Sequence, residues 1–273
     1  MKMLKPIPWL ILAVLLILIL YPIYQVLILS LLPNTEIVSY ITEVENPANR
    51  FIPRYFIPRA FSLEQYRIAI NDRFLRAYYV SVFYTITVTA LQFCIAFVMG
   101  FVFAKTRFKG RDIVFFLYLA AMVLPFHVTL VPLNQVLHSL NVLNTPWAII
   151  LPAVFSPLGV FLFRQFICQI PDEILEAATI DGAGLFRILK DIILPVIRNG
   201  VMVFLLLTIT TQWAAIEPAL AFIRTDDWRP VSLLLRELVS SNPSQTFAPG
   251  VLFMLPMIFV YVATARSKNW GMF

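Results

Sequence analysis

The chain has 273 residues, of which 60% are hydrophobic and 13% charged, with a formal net charge of +6. Soluble domains carry about 25% charged residues, so a soluble globule of this size lacks the charge to solvate its surface. The same composition excludes a disordered chain, and two cysteines exclude a disulfide scaffold.

A membrane-spanning helix needs about 20 mostly apolar residues. Six stretches meet or approach that length: 9–32, 77–104, 113–137, 146–163, 199–216 and 248–265. None holds Asp, Glu, Lys or Arg, so all 21 basic and 15 acidic residues fall outside them. A charge at mid-membrane costs about 2.5–3.5 kcal/mol on insertion scales, and six spans produce this partition. The expected fold is all-α: a polytopic membrane protein with six transmembrane helices. The first stretch is too long for the apolar part of a cleaved signal, and no small-x-small site follows it, so it reads as a retained span. The expected division is an N-terminal helix at 1–32, an outer loop at 33–76, a transmembrane core at 77–265 and a tail at 266–273. Within the core, 164–198 is an inner loop.

Lys and Arg set the orientation. With the N-terminus inside, the inner segments hold 12 basic residues in 59 positions and the outer segments 9 in 83. Basic inner loops against anionic lipid account for the net charge without a nucleic-acid partner. Both termini are therefore expected to be cytoplasmic.

Ala96, Gly100 and Ala104 in the second stretch form a small-residue face suited to close helix packing. His127 in the third is either a packing hydrogen-bond donor or a proton relay, and no span carries a carboxylate to partner it. Cys94 and Cys168 are too separated in the topology to pair, and no metal-ligand spacing occurs. No glycine is followed by lysine, so there is no P-loop, and neither H-E-x-x-H nor G-x-S-x-G is present. A membrane enzyme would have only His127 at membrane depth, and a proton-coupled carrier would want a carboxylate there, so both are less favoured alternatives.

Segment 164–198 is the one long inner segment. Pro171-Asp172-Glu173 reads as a helix start, with two acids at the positive end of the dipole. Ile174, Ala177 and Ala178 give an apolar face, and Asp181-Gly182 breaks it. A second amphipathic stretch carries Leu185, Phe186, Leu189, Ile192 and Ile193 and ends at Leu194-Pro195. Two short helices joined at a glycine bend form a knob on the inner face.

Glu176-Ala177-Ala178, three residues, Gly182, nine residues, Ile192, one residue and Leu194-Pro195 resemble the EAA loop of ABC importer permeases, EAA-x3-G-x9-I-x-LP, at every fixed position. Glu176 to Ala183 and the preceding Ile170-Pro171-Asp172-Glu173 resemble the carbohydrate-importer branch, the maltose-permease-like family. So do Thr106-Arg107-Phe108-Lys109-Gly110-Arg111, Leu124-Pro125, Leu143-Asn144-Thr145, Phe163-Arg164-Gln165-Phe166 and Phe61-Ser62-Leu63-Glu64-Gln65-Tyr66.

The resemblance implies a permease subunit in a bacterial or archaeal plasma (inner) membrane. A second permease subunit, homologous or identical, would complete the pathway. Two cytoplasmic ATPases would use the ATP, an extracytoplasmic solute-binding protein would deliver the cargo, and this chain would bind no cofactor. The EAA loop would act as a coupling helix: Glu176 pairs with a basic group of the ATPase, Ala177 and Ala178 allow close docking, and Asp181, Gly182 and Ala183 make the bend before Leu194 and Pro195. The outer segment at 217–247, with Asp226-Asp227-Trp228-Arg229-Pro230, would meet the binding protein or cover the pathway. A glycerol-phosphate or polyol-like solute is the nearest alternative cargo.

Ser156, Thr208, Thr210, Thr211, Gln212 and Trp213 are candidates for a sugar-facing wall, an aromatic face with hydroxyl and amide groups beside it. The competing reading has these hydroxyls bonded to their own helix carbonyls. The chain departs from the family in Trp213-Ala214 where Trp-Asn is usual, in Arg198-Asn199 where a second proline often stands, and in its short tail Trp270-Gly271-Met272-Phe273.

Overall fold

The computed structural model describes residues 6–46, 55–58 and 60–266. Lys2, Lys5 and the tail Trp270–Phe273 lie outside the described residues. Every regular element among those described is helical. In chain order the α-helices are α1 (Pro6–Ser30), α2 (Asn34–Glu45), α3 (Glu64–Ala69), α4 (Asp72–Lys105) and α5 (Arg111–Ala120). Then come α6 (Phe126–Ser139), α7 (Trp147–Ala153), α8 (Pro157–Cys168) and α9 (Asp172–Ile180). A tenth, α10 (Leu185–Arg187), runs through a π-helical stretch (Ile188–Ile193) into α11 (Leu194–Val196). The last four are α12 (Arg198–Trp213), α13 (Glu217–Phe222), α14 (Val231–Ser241) and α15 (Phe247–Arg266).

Four helical stretches are long and apolar enough to cross a membrane: Pro8–Ser30, Asp72–Lys105, Trp147–Cys168 and Pro243–Ala265. The 25 residues of α1 reach about 37 Å at about 1.5 Å per residue, more than a hydrocarbon core of about 30 Å.

The third expected span, 113–137, is not one helix. Arg111–Val123 and Phe126–Ser139 meet at a 102° bend. Leu124 is extended (φ −67°, ψ 119°) because its neighbour Pro125 crowds the helical region, and Pro125 has no N–H to continue the ladder. His127 thus sits in the first turn after the break. The fifth expected span, 199–216, begins one residue earlier and is the second arm of another bent pair. Leu185–Val196 meets Arg198–Trp213 at 83°. Among the described residues there are therefore four helices long and apolar enough to cross a membrane, or six candidate spans if each bent pair counts as one.

The described residues fall into two compact units. The first comprises Met1–Arg76 and Leu233–Ile258. At the end of α1 the last carbonyls lack helical partners, and the Ser62–Tyr66 segment supplies donors. Gln65 Nε2 donates to the oxygens of Leu29 and Leu32, each at 2.9 Å. Ser62 N donates to Leu31 O at 2.8 Å, and the Tyr66 and Ser30 hydroxyls meet at 2.8 Å. Glu64 accepts from Asn34 N at 3.2 Å. The hexapeptide at 61–66 is a clasp over the α1–α2 corner, around buried Leu29, Leu32 and Ile37.

The second unit comprises Ala77–Ser232 and Phe259–Phe273. Its core joins α4, α5, α8 and the 188–204 segment through Phe97, Phe103, Phe115, Phe163, Ile193 and Phe204. In lipid, helices gain little from hiding apolar surface, so close packing carries the association. Ala96 and Gly100 supply it: a Cβ on Gly100 would lie 2.6 Å from Phe163 Cβ, and one on Gly159 would lie 3.0 Å from Ala96 Cβ. The Phe163 and Phe204 rings pack at 4.9 Å.

Candidate coupling loop and solute pathway

The EAA segment begins where Pro171 (φ −57°, ψ 139°) turns the chain into α9, with Asp172 and Glu173 in the first turn. It ends in a Schellman turn. Ala183 N donates to Ala178 O at 2.9 Å and Gly182 N to Thr179 O at 3.0 Å, with Gly182 at φ +80°. Ala178 and Ala183 both pack against the phenylalanine core. These two alanines and the glycine therefore build the corner, while Glu176 and Ala177 stand exposed. Around them lie large apolar side chains in the open, including Ile180 at 86% and Phe186 at 76% exposure. Asp181 is the last residue before the turn and is exposed. Leu194 packs against the core, and Pro195 is exposed. The Pro195 ring crowds the carbonyl four residues back, and the wider π-helical turn just before it relieves that crowding.

Lys105 holds this knob to the end of α4, and Arg164 ties α8 to α4 and α5. Lys105, the last residue of α4, donates to Ile170 O and pairs with Asp172. The hydrogen bond from Lys105, then its charge, holds the Asp172 carboxyl below the usual carboxylate range, and Arg107 adds to the effect. Arg164 donates to Phe103 O at 3.3 Å and lies 4.2 Å over the Phe115 ring. Phe101, Lys105, Arg107, Asp172, Glu176 and Ile188 line an open cleft beside α9. Arg164 sits within a family-like stretch of the sequence and Lys105 directly precedes one, yet their anchoring role had no local signal, since their hydrogen-bond partners are 61 to 67 residues away.

The pathway candidates occupy varied settings. Thr208, Thr211, Gln212 and Trp213 occupy the last two turns of α12. Thr208 is buried and Thr211 exposed, its hydroxyl bonded to Leu207 O and Thr208 O. Trp213 is 3% exposed and meets Tyr78 edge-on at 5.3 Å. Gln212 lines a small cavity with Ser81, Tyr84 and Pro230. Ser156 caps α8 by accepting from Gly159 N at 3.2 Å. One face of α4 carries Ser81, Thr85, Thr89 and Gln92, all buried. This polar stripe was missed, although spacings of four, four and three mark a helix face. Ser81 Oγ accepts from Val231 N at 2.8 Å and Tyr84 donates to Trp228 O at 3.1 Å, fixing the 226–230 loop to α4. Asn144, at φ +60°, accepts from Arg224 N at 2.7 Å and donates its own N–H to Phe222 O at 3.1 Å.

Residues 92–267 match the family described as binding-protein-dependent transport system inner membrane component. The chain belongs to this family. It is 26% identical over 251 residues to the arabinooligosaccharides transport system permease protein AraQ of Halalkalibacterium halodurans, covering 90% of this chain and 86% of the relative. It is 27% identical over 259 residues to the sn-glycerol-3-phosphate transport system permease protein UgpE of Brucella suis, covering 90% and 88%. A crystal structure of a bacterial ABC transporter involved in the import of the acidic polysaccharide alginate superimposes with a TM-score of 0.84 at 18% identity, covering 98% of this chain and 97% of that one. That likeness shows the fold. As an inner-membrane transport component the permease is not an enzyme, and in such systems ATP hydrolysis belongs to a separate subunit.

Proposed function

We propose that this permease forms half of the transmembrane pathway of a carbohydrate ABC importer and that segment 171–195 couples it to a cytoplasmic ATPase. A second permease subunit and an external solute-binding protein complete the machine. What supports the coupling reading is one observation: the EAA segment carries its acidic residue and Ala177 exposed, ringed by exposed Ile180, Leu185 and Phe186, on a corner set by a glycine at positive φ. Apolar side chains exposed on a knob expected on the inner face suit a protein partner. The carbohydrate cargo rests on the EAA-loop form and on the named relatives. Glu176, Ala177, Ala178, Asp181, Gly182, Ala183, Leu194 and Pro195 are the coupling residues, with Ala178, Gly182 and Ala183 acting through the shape of the corner.

The relationship to UgpE favours glycerol phosphate as a second cargo. A phosphate wants a cation or a helix N-terminus along its route, and the six apolar stretches hold no Lys or Arg. Uptake into vesicles holding the assembled importer decides between the two. Labelled arabinooligosaccharide or maltose is expected to accumulate with ATP and binding protein, and glycerol 3-phosphate is not. Accumulation of glycerol 3-phosphate alone overturns the carbohydrate reading, and accumulation without ATP overturns the importer.

A further inference from the structure

The first compact unit encloses a cavity of about 180 Å3, room for about six waters at about 30 Å3 each. Ala69, Phe74, Leu234 and Leu238 give it an apolar wall, and Asn34, Gln65 and Arg73 contribute polar groups. Gln65 is 5% exposed. Its Nε2 donates to Leu29 O and Leu32 O, so the amide cannot turn over without setting its oxygen against two carbonyls. Gln65 Oε1 is therefore held as an acceptor, and it is buried with no hydrogen-bond partner among the described residues. A buried acceptor without a donor costs free energy. Arg73 pairs with Glu237 at 3.0 Å, so the cavity offers no unmatched charge to an anion.

We propose that this cavity binds a neutral polyhydroxylated solute, a single sugar ring, with Gln65 Oε1 accepting one hydroxyl. The apolar wall, with the Phe74 ring in it, takes the C–H face of the ring, and the Asn34 amide serves a further hydroxyl. Apolar walls with a few placed polar groups are the general form of small-molecule sites. The ligand class rests on the carbohydrate reading above. In the orientation expected from the basic residues the site lies on the outer side.

The test uses the full chain in lipid nanodiscs and saturation-transfer NMR with glucose, arabinose and galacturonate. Glucose or arabinose is expected to gain saturation at millimolar concentration and galacturonate much less. Leu238→Trp fills the cavity without touching the Gln65 amide, and should abolish the signal at an unchanged thermal melt. Ala69→Leu replaces it if that variant fails to fold. No saturation of any sugar, the result for a cavity holding water alone, overturns the proposal. So does a full signal in a folded cavity-filled variant. Sugar uptake by the assembled importer is measured alongside. Uptake without saturation transfer removes the cavity site and leaves the carbohydrate reading standing. Cavity-dependent saturation without sugar uptake removes the carbohydrate reading and keeps the site.

Discussion

Gly182 illustrates how one residue sets the corner proposed for coupling. Nothing lies within 4 Å of where its Cβ would be, so the constraint is its φ of +80° and not space. A left-handed conformation costs most residues about 1–2 kcal/mol, and Asn tolerates it better. Gly182→Val is expected to reduce ATPase co-purification and Gly182→Asn to retain most of it; equal retention by both would remove the backbone argument. Glu176→Lys should insert normally, because the side chain is exposed, yet lose the ATPase. Two like charges about 4 Å apart cost about 4 kcal/mol at an effective dielectric near 20, on the order of a thousandfold in affinity. Parental transport by Glu176→Lys sinks the coupling assignment. Lys105→Met tests the anchor through pH. Asp172 has a depressed folded pKa, so its stabilising contribution is present above the ordinary Asp value of about 3.9 and lost as pH falls through the folded value. The variant should be less stable than the parent at pH 7, with the difference shrinking toward pH 3. A constant difference across that range argues that Lys105 acts through packing.

At the scale of elements, the α4–α8 contact depends on the absence of a side chain. A Cβ at Gly100 would lie 2.6 Å from Phe163 Cβ and 3.0 Å from the Arg164 backbone nitrogen. Backbone cannot swing aside as a long side chain does, so Gly100→Ala should cost about 1–3 kcal/mol through overpacking. Gly100→Leu should prevent a monodisperse subunit on size exclusion in detergent. The small-residue spacing announced this face before the partner was known, whereas the identity of Phe163 came from the packing. Proline effects were half legible. Leu124-Pro125 carries a local steric rule that ends a helix, but hydropathy averaged across it and made one span of two arms. Averaging over 113–137 cannot register a 102° bend, because direction is not a property of composition.

For the whole molecule, topology is the first quantity to measure. In a background with Cys94 and Cys168, both exposed, replaced by Ser, Glu45→Cys and Asn242→Cys should react with an impermeant reagent from outside. Lys109→Cys and Lys190→Cys should be spared in sealed cells. Labelling at 190 reverses the orientation. The first bent pair matters here, since its arms of 13 and 14 residues each reach only about 20 Å and cannot cross alone. Labelling of Ser139→Cys from outside, with Lys109→Cys spared, makes the first pair one broken span; sparing of both makes it re-entrant.

What the sequence determined by itself was whatever sums along the chain or sits within a few residues. Charge-free stretches marked membrane helices because insertion energy adds residue by residue. The Asp181-Gly182 break marked the corner after α9 because a Schellman turn is closed by hydrogen bonds within six residues. The tertiary structure alone decided the contacts between distant segments. Gln65 caps carbonyls 33 and 36 residues earlier, and Lys105 anchors a helix 67 residues later. Trp213, a candidate for a sugar-facing wall, packs edge-on against Tyr78, and Ser156 accepts from Gly159 N as a helix cap. In lipid, apolar composition does not say which faces meet; shape and the pairing of polar groups do, and both depend on residues that only the fold brings together.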